Sequence, residues 1–256
     1  MSIDGESRIP NPISYSIFPL ILSTCLRKMK PTPKNIAKLL AKSSYICYNG
    51  TDNNYHLKRR KHIMNDNLQE LVFILDQSAS IKDHLETASK SFKKLISDQK
   101  KLPVQTNVTT NIFGSDYVTL FNGLPIEKIK FTQKLFPTSG VCPLIDSAVR
   151  SIDAVGERLS NTPEQDRPSK VIVTIVTFNR DNASKKHTFE ELAERIRVQT
   201  EVYKWKFYLI TDFSINMEKL GIAEDDTIIL KKSDPDAFKT AYGELNKKIT
   251  ALRIPE

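Results

Sequence analysis

The sequence predicts an α/β domain with a doubly wound, mostly parallel six-stranded sheet in the order 3-2-1-4-5-6 and helices on both faces. Three observations support this fold class. Short β-favouring apolar runs lack polar alternation, which is typical of strands covered on both faces. Amphipathic segments with helical spacing separate most of these runs. One pair of runs is joined by only three residues, which predicts a hairpin.

The strands are assigned in chain order. The second and third are separated by Gly114, Ser115 and Asp116, so the third is expected to be antiparallel and to lie at the sheet edge. Right-handed crossovers between the other strands give the stated order. The predicted strands cover residues 71–75, 104–113, 117–121, 171–176, 205–210 and 227–230.

Helices are predicted where apolar residues recur every three or four positions. One covers residues 144–159, another begins near Phe189, and the last covers residues 236–251. Their apolar positions are Leu144, Ala148, Ile152, Val155, Leu159, Phe189, Leu192, Ile196, Phe238, Tyr242, Leu245 and Ile249.

Charge divides the 256-residue chain into a basic N-terminal extension, residues 1–63, and a domain, residues 64–256. The extension has 11 Lys and Arg against 3 Asp and Glu, and the remainder has 27 of each, so the extension carries the whole net charge of +8. Basic residues between 27 and 61 could contact nucleic acid. A solvated linker and an over-extended start before Met64 are the alternative interpretations of this segment.

Cysteine content and hydropathy indicate in which cellular compartment the protein is expected. The three cysteines are scattered and form no zinc-binding pair, which is typical of a protein from the reducing cytoplasm. Apolar runs are far shorter than the roughly 20 residues of a membrane span, so none is predicted. We therefore expect a cytoplasmic protein.

The candidate site lies at the carboxyl ends of the strands, where ligands bind in such sheets. The loop after the first strand contains Asp76, Ser78 and Ser80, and it lacks the glycines of a phosphate-binding turn. A carboxylate and two hydroxyls are hard oxygen ligands suited to Mg²⁺ or Mn²⁺. In a structural interpretation, Ser80 instead caps the next helix together with Asp83. The two interpretations are compatible, and the spacing does not separate them.

The segment Leu-Val-Phe-Ile-Leu-Asp-Gln-Ser-Ala-Ser at residues 71–80 resembles the first motif of von Willebrand factor type A (vWA) domains. In that family Asp-x-Ser-x-Ser opens a metal-ion-dependent adhesion site, which implies that Asp76, Ser78 and Ser80 are metal ligands here. Later segments resemble a stand-alone bacterial and phage subgroup, and the similarity covers about residues 66–250. Those segments are residues 155–164, 170–177 and 182–184, and residues 140–148 resemble the Gly-x-Thr-x-Leu helix entry of the family as a whole.

The sequence departs from the family's metal site at two positions. The family has a Thr and, after its fourth strand, an Asp, where this chain has Cys142 and Phe178. A thiol is a poor Mg²⁺ ligand and a phenyl ring is none. Thr138 and Asp212 are additional candidate ligands. We expect a degenerate site with weak or absent Mg²⁺ or Mn²⁺ binding, which the substitutions C142T and F178D would strengthen.

The resemblance implies a protein–protein interaction module and not an enzyme. In the family, a partner's acidic side chain completes the coordination of the cation, so the expected partner is another protein that offers an acidic side chain. The four histidines are scattered, and no nucleophile with an adjacent base is recognisable. Two alternatives remain: a nucleic-acid-associated protein that uses its basic extension, and a metal-dependent hydrolase built on Asp76 and Asp212.

Overall fold

The computed structural model describes residues 65–132, 137–138, 140–212, 217–231 and 233–254. The predicted extension, including its basic residues 27–61, lies outside the described residues, as does Met64. The strands are β1 (Asn65–Asp76), β2 (Gln105–Phe113), β3 (Tyr117–Pro125), β4 (Pro168–Thr177), β5 (Lys206–Thr211) and β6 (Thr227–Ile229).

The sheet order is β3-β2-β1-β4-β5-β6, which confirms the prediction. Strand β1 is central and pairs in parallel with β2 and β4, and β5 and β6 continue the parallel pairing. Strand β3 pairs antiparallel with β2 at the edge, through a turn in which the Gly114 amide donates to the Asp116 carbonyl over 2.9 Å. The carboxyl ends of β1, β2 and β4 therefore meet at one edge of the sheet.

The helices are α1 (Leu85–Gln99), α2 (Leu144–Asn161), α3 (Phe189–Tyr203), α4 (Met217–Leu220) and α5 (Ala237–Arg253). The three predicted helices correspond to α2, α3 and α5, with boundaries that agree within two residues. A 3₁₀ helix, Ala79–His84, precedes α1 and was not predicted.

The core consists of two apolar layers, one on each face of the sheet. Successive side chains of a strand point to opposite faces, so Phe73 lies in the layer with α1 and α5 whereas Ile74 lies in the layer with α2 and α3. The Phe73 ring meets the edge of Phe92 in α1 at a centroid distance of 4.9 Å. Both faces of β1 are thus covered, which explains why its sequence shows no polar alternation.

A buried arginine fixes the C-terminal end of α5. Arg253 is 2% exposed and donates to the side-chain oxygens of Gln69, at 2.8 Å, and Gln99, at 2.5 Å, and also to Thr106. The Gln69 amide donates back to the Arg253 carbonyl over 3.2 Å. Burial lowers the pKa of Arg253 to about 10, since its named partners are neutral.

Within the described part of the chain, every helix is too short or too polar to cross a bilayer.

Candidate functional site

Three loops meet at the carboxyl end of β1. The Gln77 amide donates to the Phe113 carbonyl of β2 over 2.6 Å, and the Ala79 amide donates to the Gly140 carbonyl over 3.2 Å. The residues that follow β4 approach from the other side, because β4 pairs with β1. We call this meeting point the carboxyl edge; its loops are residues 76–80, 140–143 and 178–187.

The carboxylate of Asp76 is the centre of the carboxyl edge. Asp76 is 1% exposed, and its Oδ1 accepts a hydrogen bond from the Ser78 amide at 2.7 Å. Its Oδ2 accepts from the Phe178 amide at 3.0 Å and from the Thr177 hydroxyl at 3.2 Å. A fourth donor, the Cys142 thiol, lies 3.6 Å from Oδ2. A carboxylate has about four acceptor positions, two on each oxygen, so protein donors enclose Oδ2 of Asp76, whereas Oδ1 accepts the Ser78 amide.

Cys142 is fully buried, and its thiol is held in the protonated form. Burial, followed by the nearby charge of Asp76, raises its pKa far above the ordinary value. A protonated thiol donates a hydrogen bond to a carboxylate but is not a nucleophile. Cys142 therefore stabilises Asp76 in this arrangement, where the family's threonine would offer an oxygen ligand.

The two serines of the motif come together beside Asp76. Their hydroxyl oxygens are 3.0 Å apart, with Ser78 buried and Ser80 exposed. The predicted cap formed by Ser80 and Asp83 is wrong. The N-terminal residue of the 3₁₀ helix is Ser78, and α1 begins only after His84, so Ser80 lies inside the 3₁₀ helix.

Phe178 is next to Asp76 through its backbone only. Its ring is 4% exposed and lies 4.8 Å from the His84 ring and 5.6 Å from the Phe238 ring. Strand alternation explains this, since Thr177 faces Asp76 and the following side chain points to the opposite layer. The expectation that the Phe178 side chain occupies the place of a missing carboxylate is therefore corrected.

The other two candidate ligands lie on segments other than the loop after β1. Thr138 is half-buried and makes no hydrogen bond to Asp76, Ser78 or Ser80 within the described residues. Asp212 directly follows Thr211 of β5, which pairs with Thr177 of β4, so it lies one strand away from β1.

The residues at the carboxyl edge fit a divalent cation poorly. A cation at Oδ2 of Asp76 would have to displace the thiol and hydroxyl donors, and the Cys142 side chain beside it ends in sulfur, which Mg²⁺ does not favour. Among the described residues, no group of three or more His, Cys, Asp or Glu is placed to hold a metal ion.

The loop after β4 is tied to the start of α2 by carboxylates that sequence reasoning missed. Asp146 accepts from the amides of Lys185, Lys186 and His187 at 2.8 to 3.2 Å. Asp181 accepts from the Ile145 amide at 2.9 Å. Although burial opposes ionisation, these backbone donors lower the pKa of Asp146. In the sequence, Asp146 is visible as an acidic residue in the first turn of a helix, and Asp181 as one in a polar loop. Each bonds to backbone amides about 40 residues away, which local sequence patterns do not indicate.

An amide side chain makes a second connection in the same place. Asn182 Oδ1 accepts from the Cys142 amide at 2.8 Å, and the Asn182 amide donates to the Cys142 carbonyl over 3.0 Å. The loop thus reaches the cysteine that contacts Asp76. Asp76, Cys142 and residues 181–187 form one connected unit at the carboxyl edge.

Comparison with known proteins gives structural neighbours only. No protein-family model matches the sequence, and no curated protein matches it. A D319A mutant of the PilB minor pilin from Streptococcus sanguinis matches 76% of this chain and 64% of that chain, with 11% identity and a TM-score of 0.48. Proximal thread matrix protein 1 from the mussel byssus matches 72% of this chain and 47% of that chain, with 14% identity and a TM-score of 0.49.

A third neighbour is the manganese-loaded TRAP protein of Plasmodium vivax. It matches 69% of this chain and 73% of that chain, with 14% identity and a TM-score of 0.47. The match spans less than two thirds of the length of the pilin and of the mussel protein. With identities of 11 to 14% and TM-scores below 0.5, these neighbours carry no inference about this chain. Its own sheet order, β3-β2-β1-β4-β5-β6, is that of a Rossmann-like α/β fold.

Proposed function

We propose that this chain is a protein–protein interaction module that binds its partner at the carboxyl edge. The observation that carries the proposal is the connected unit of Asp76, Cys142 and residues 181–187, which holds three loops in one rigid arrangement. Rigid loops on a sheet edge provide a preorganised binding surface. Val141, which is 46% exposed although its neighbour Cys142 is fully buried, offers an apolar contact there.

Binding, not catalysis, is the chemistry that these side chains support. The Cys142 thiol is protonated and enclosed, and the Asp76 carboxylate is occupied by donors, so neither is ready to attack or to accept a proton from a substrate. We therefore propose a non-enzymatic role, which sets aside the metal-dependent hydrolase. The acidic partner side chain and any assistance by Mg²⁺ or Mn²⁺ are finer parts of the same proposal.

Site-specific photo-crosslinking tests the proposal. A photoreactive residue replaces Val141 at the carboxyl edge, and in a matched control it replaces the exposed Gln165, which precedes β4 at the opposite edge. In extract of the source cells we expect discrete protein adducts from position 141 and far fewer from position 165. Equal adducts from both positions, or none from position 141, would overturn the proposal.

The charge of residues 1–63 favours nucleic-acid binding as the second candidate function. Phosphate contacts made by lysine and arginine weaken steeply with salt. A salt-dependent affinity that disappears on deletion of residues 1–63 would support this function. An affinity retained by the shortened chain would reject it for the extension.

A further inference from the structure

The lysines of the loop after β4 are held in place by their backbone and not by their side chains. The amides of Lys185 and Lys186 donate to the Asp146 carboxylate, whereas their side chains are exposed. Within the described residues, no ion pair involves either ammonium group. Two positive charges thus project from a rigid segment of the carboxyl edge without a partner carboxylate from this part of the chain.

The two carboxylates that hold this segment form no ion pair with the ammonium group of Lys185 or Lys186. Asp146 is engaged by three backbone amides, and Asp181 by the Ile145 and Ser184 amides together with the Ser184 hydroxyl. Their carboxylates are directed at hydrogen-bond donors inside the loop.

We infer that the exposed side chains of Lys185 and Lys186 bind an acidic segment of the partner protein. This inference rests on the proposed function and identifies the chemistry of the partner. A carboxylate that reaches the carboxyl edge needs a positive charge, and protein donors enclose the Asp76 oxygen Oδ2 that would otherwise face a cation. The ammonium groups of Lys185 and Lys186 supply that charge without a metal.

A short acidic peptide fits this surface better than a nucleic acid does. The neighbouring loops carry Asp83 and Asp116, both exposed. Their negative charges repel the continuous phosphate backbone of a nucleic acid that extends beyond the loop. A few carboxylates can meet the lysines without passing these two residues. The apolar contact at Val141 is also suited to a peptide.

The test measures fluorescence anisotropy of a labelled octaglutamate peptide with the full-length chain at low salt. The variant K185E/K186E is compared with K93E/K247E, which reverses the charge of two exposed lysines. These lysines lie on α1 and α5, on the other face of the sheet. Both variants change the net charge equally and leave the basic extension intact. We expect about tenfold weaker binding for K185E/K186E than for K93E/K247E, and no effect of EDTA.

Three outcomes would overturn the inference. One is that the two variants bind octaglutamate with affinities within twofold of each other. Another is that K185E/K186E weakens the binding of a labelled single-stranded DNA as much as it weakens the binding of the peptide, because the loop would then recognise anions in general. The third is undiminished protein crosslinking from position 141 in the K185E/K186E background, which would preserve the interaction function and reject only the basic loop as its determinant.

Discussion

At the scale of single residues, the carboxylate of Asp76 joins the end of β1 to the segment before α2 and to the end of β4, because it accepts hydrogen bonds from all of them. Its donors come from Ser78, Cys142, Thr177 and Phe178, so the loss of one carboxylate oxygen affects several chain segments. A buried donor left without an acceptor costs about 1–3 kcal/mol.

We predict that D76N destabilises the domain by about 2–4 kcal/mol, because the new amide group cannot accept the bonds that Oδ2 accepts. Equilibrium unfolding in urea measures the change. The control D83N alters an exposed carboxyl group and is expected to change the unfolding free energy by less than about 0.5 kcal/mol. A D76N protein as stable as the D83N protein would show that the donors around Asp76 contribute nothing to folding.

The motif was predictable at this scale, but its environment was not. Asp76, Ser78 and Ser80 follow directly from their spacing after a strand, and the structure brings them together. The contact between Cys142 and Asp76 joins residues 66 positions apart, and local sequence patterns carry no signal for it. Phe178 was matched to a missing ligand, but strand alternation places its ring in the opposite apolar layer.

At the scale of elements, Arg253 holds α5 against the sheet with a buried cation and neutral partners. We predict that R253M lowers stability by about 3 kcal/mol or more, since methionine fills the space but leaves the oxygens of Gln69, Gln99 and Thr106 without their donor. Thermal unfolding is expected to shift downward by about 6 °C or more.

The matched control is K247M, which changes an exposed lysine of the same helix. It is expected to shift the melting temperature by no more than about 2 °C. Equal shifts for R253M and K247M would mean that α5 is held by its apolar face alone, through residues such as Phe238 and Leu245.

The connection between Asp146 and the loop after β4 can be tested by hydrogen exchange. We predict that D146A accelerates exchange of the amides of residues 185–187, because they lose their acceptor, whereas E157A on the exposed side of α2 does not. The pKa of Asp146 is lowered in the folded protein, so the connection is complete above its ordinary pKa near 4 and is lost as the pH falls through the folded value. Equal exchange in the two variants at neutral pH would contradict this role.

Helices in which apolar residues recur at regular spacing over many residues were predictable from the sequence, and short elements were not. Helices α2, α3 and α5 follow from apolar residues at helical spacing over 15 or more residues. The 3₁₀ helix Ala79–His84 has six residues, and only Ile81 among them is buried, so no period could reveal it. The capping box at Thr188 and Glu191, which begins α3, is visible in the sequence as a Thr with a Glu three residues later.

At the scale of the whole molecule, the sheet order followed from the hairpin and from the handedness of crossovers. Among the described residues, both apolar layers are formed by residues between Leu71 and Ile249. We therefore predict that a chain of residues 64–256 unfolds in a single cooperative transition with the same midpoint as the full-length chain. Circular dichroism on heating measures it. A broad transition, or a midpoint lowered by more than about 5 °C, would show that residues 1–63 complete the core.

The central claim is that protein donors at Asp76 take the place of a bound cation at the carboxyl edge. Titration calorimetry of the full-length chain with MgCl₂ and MnCl₂ tests it most directly, with the double variant C142T/F178D beside it. We predict no saturable heat for the wild-type chain at millimolar cation. The double variant is expected to gain affinity through C142T, which places a hydroxyl oxygen beside Asp76, because the side chain at position 178 lies on the Phe238 side. Micromolar binding to the wild-type chain would contradict the claim.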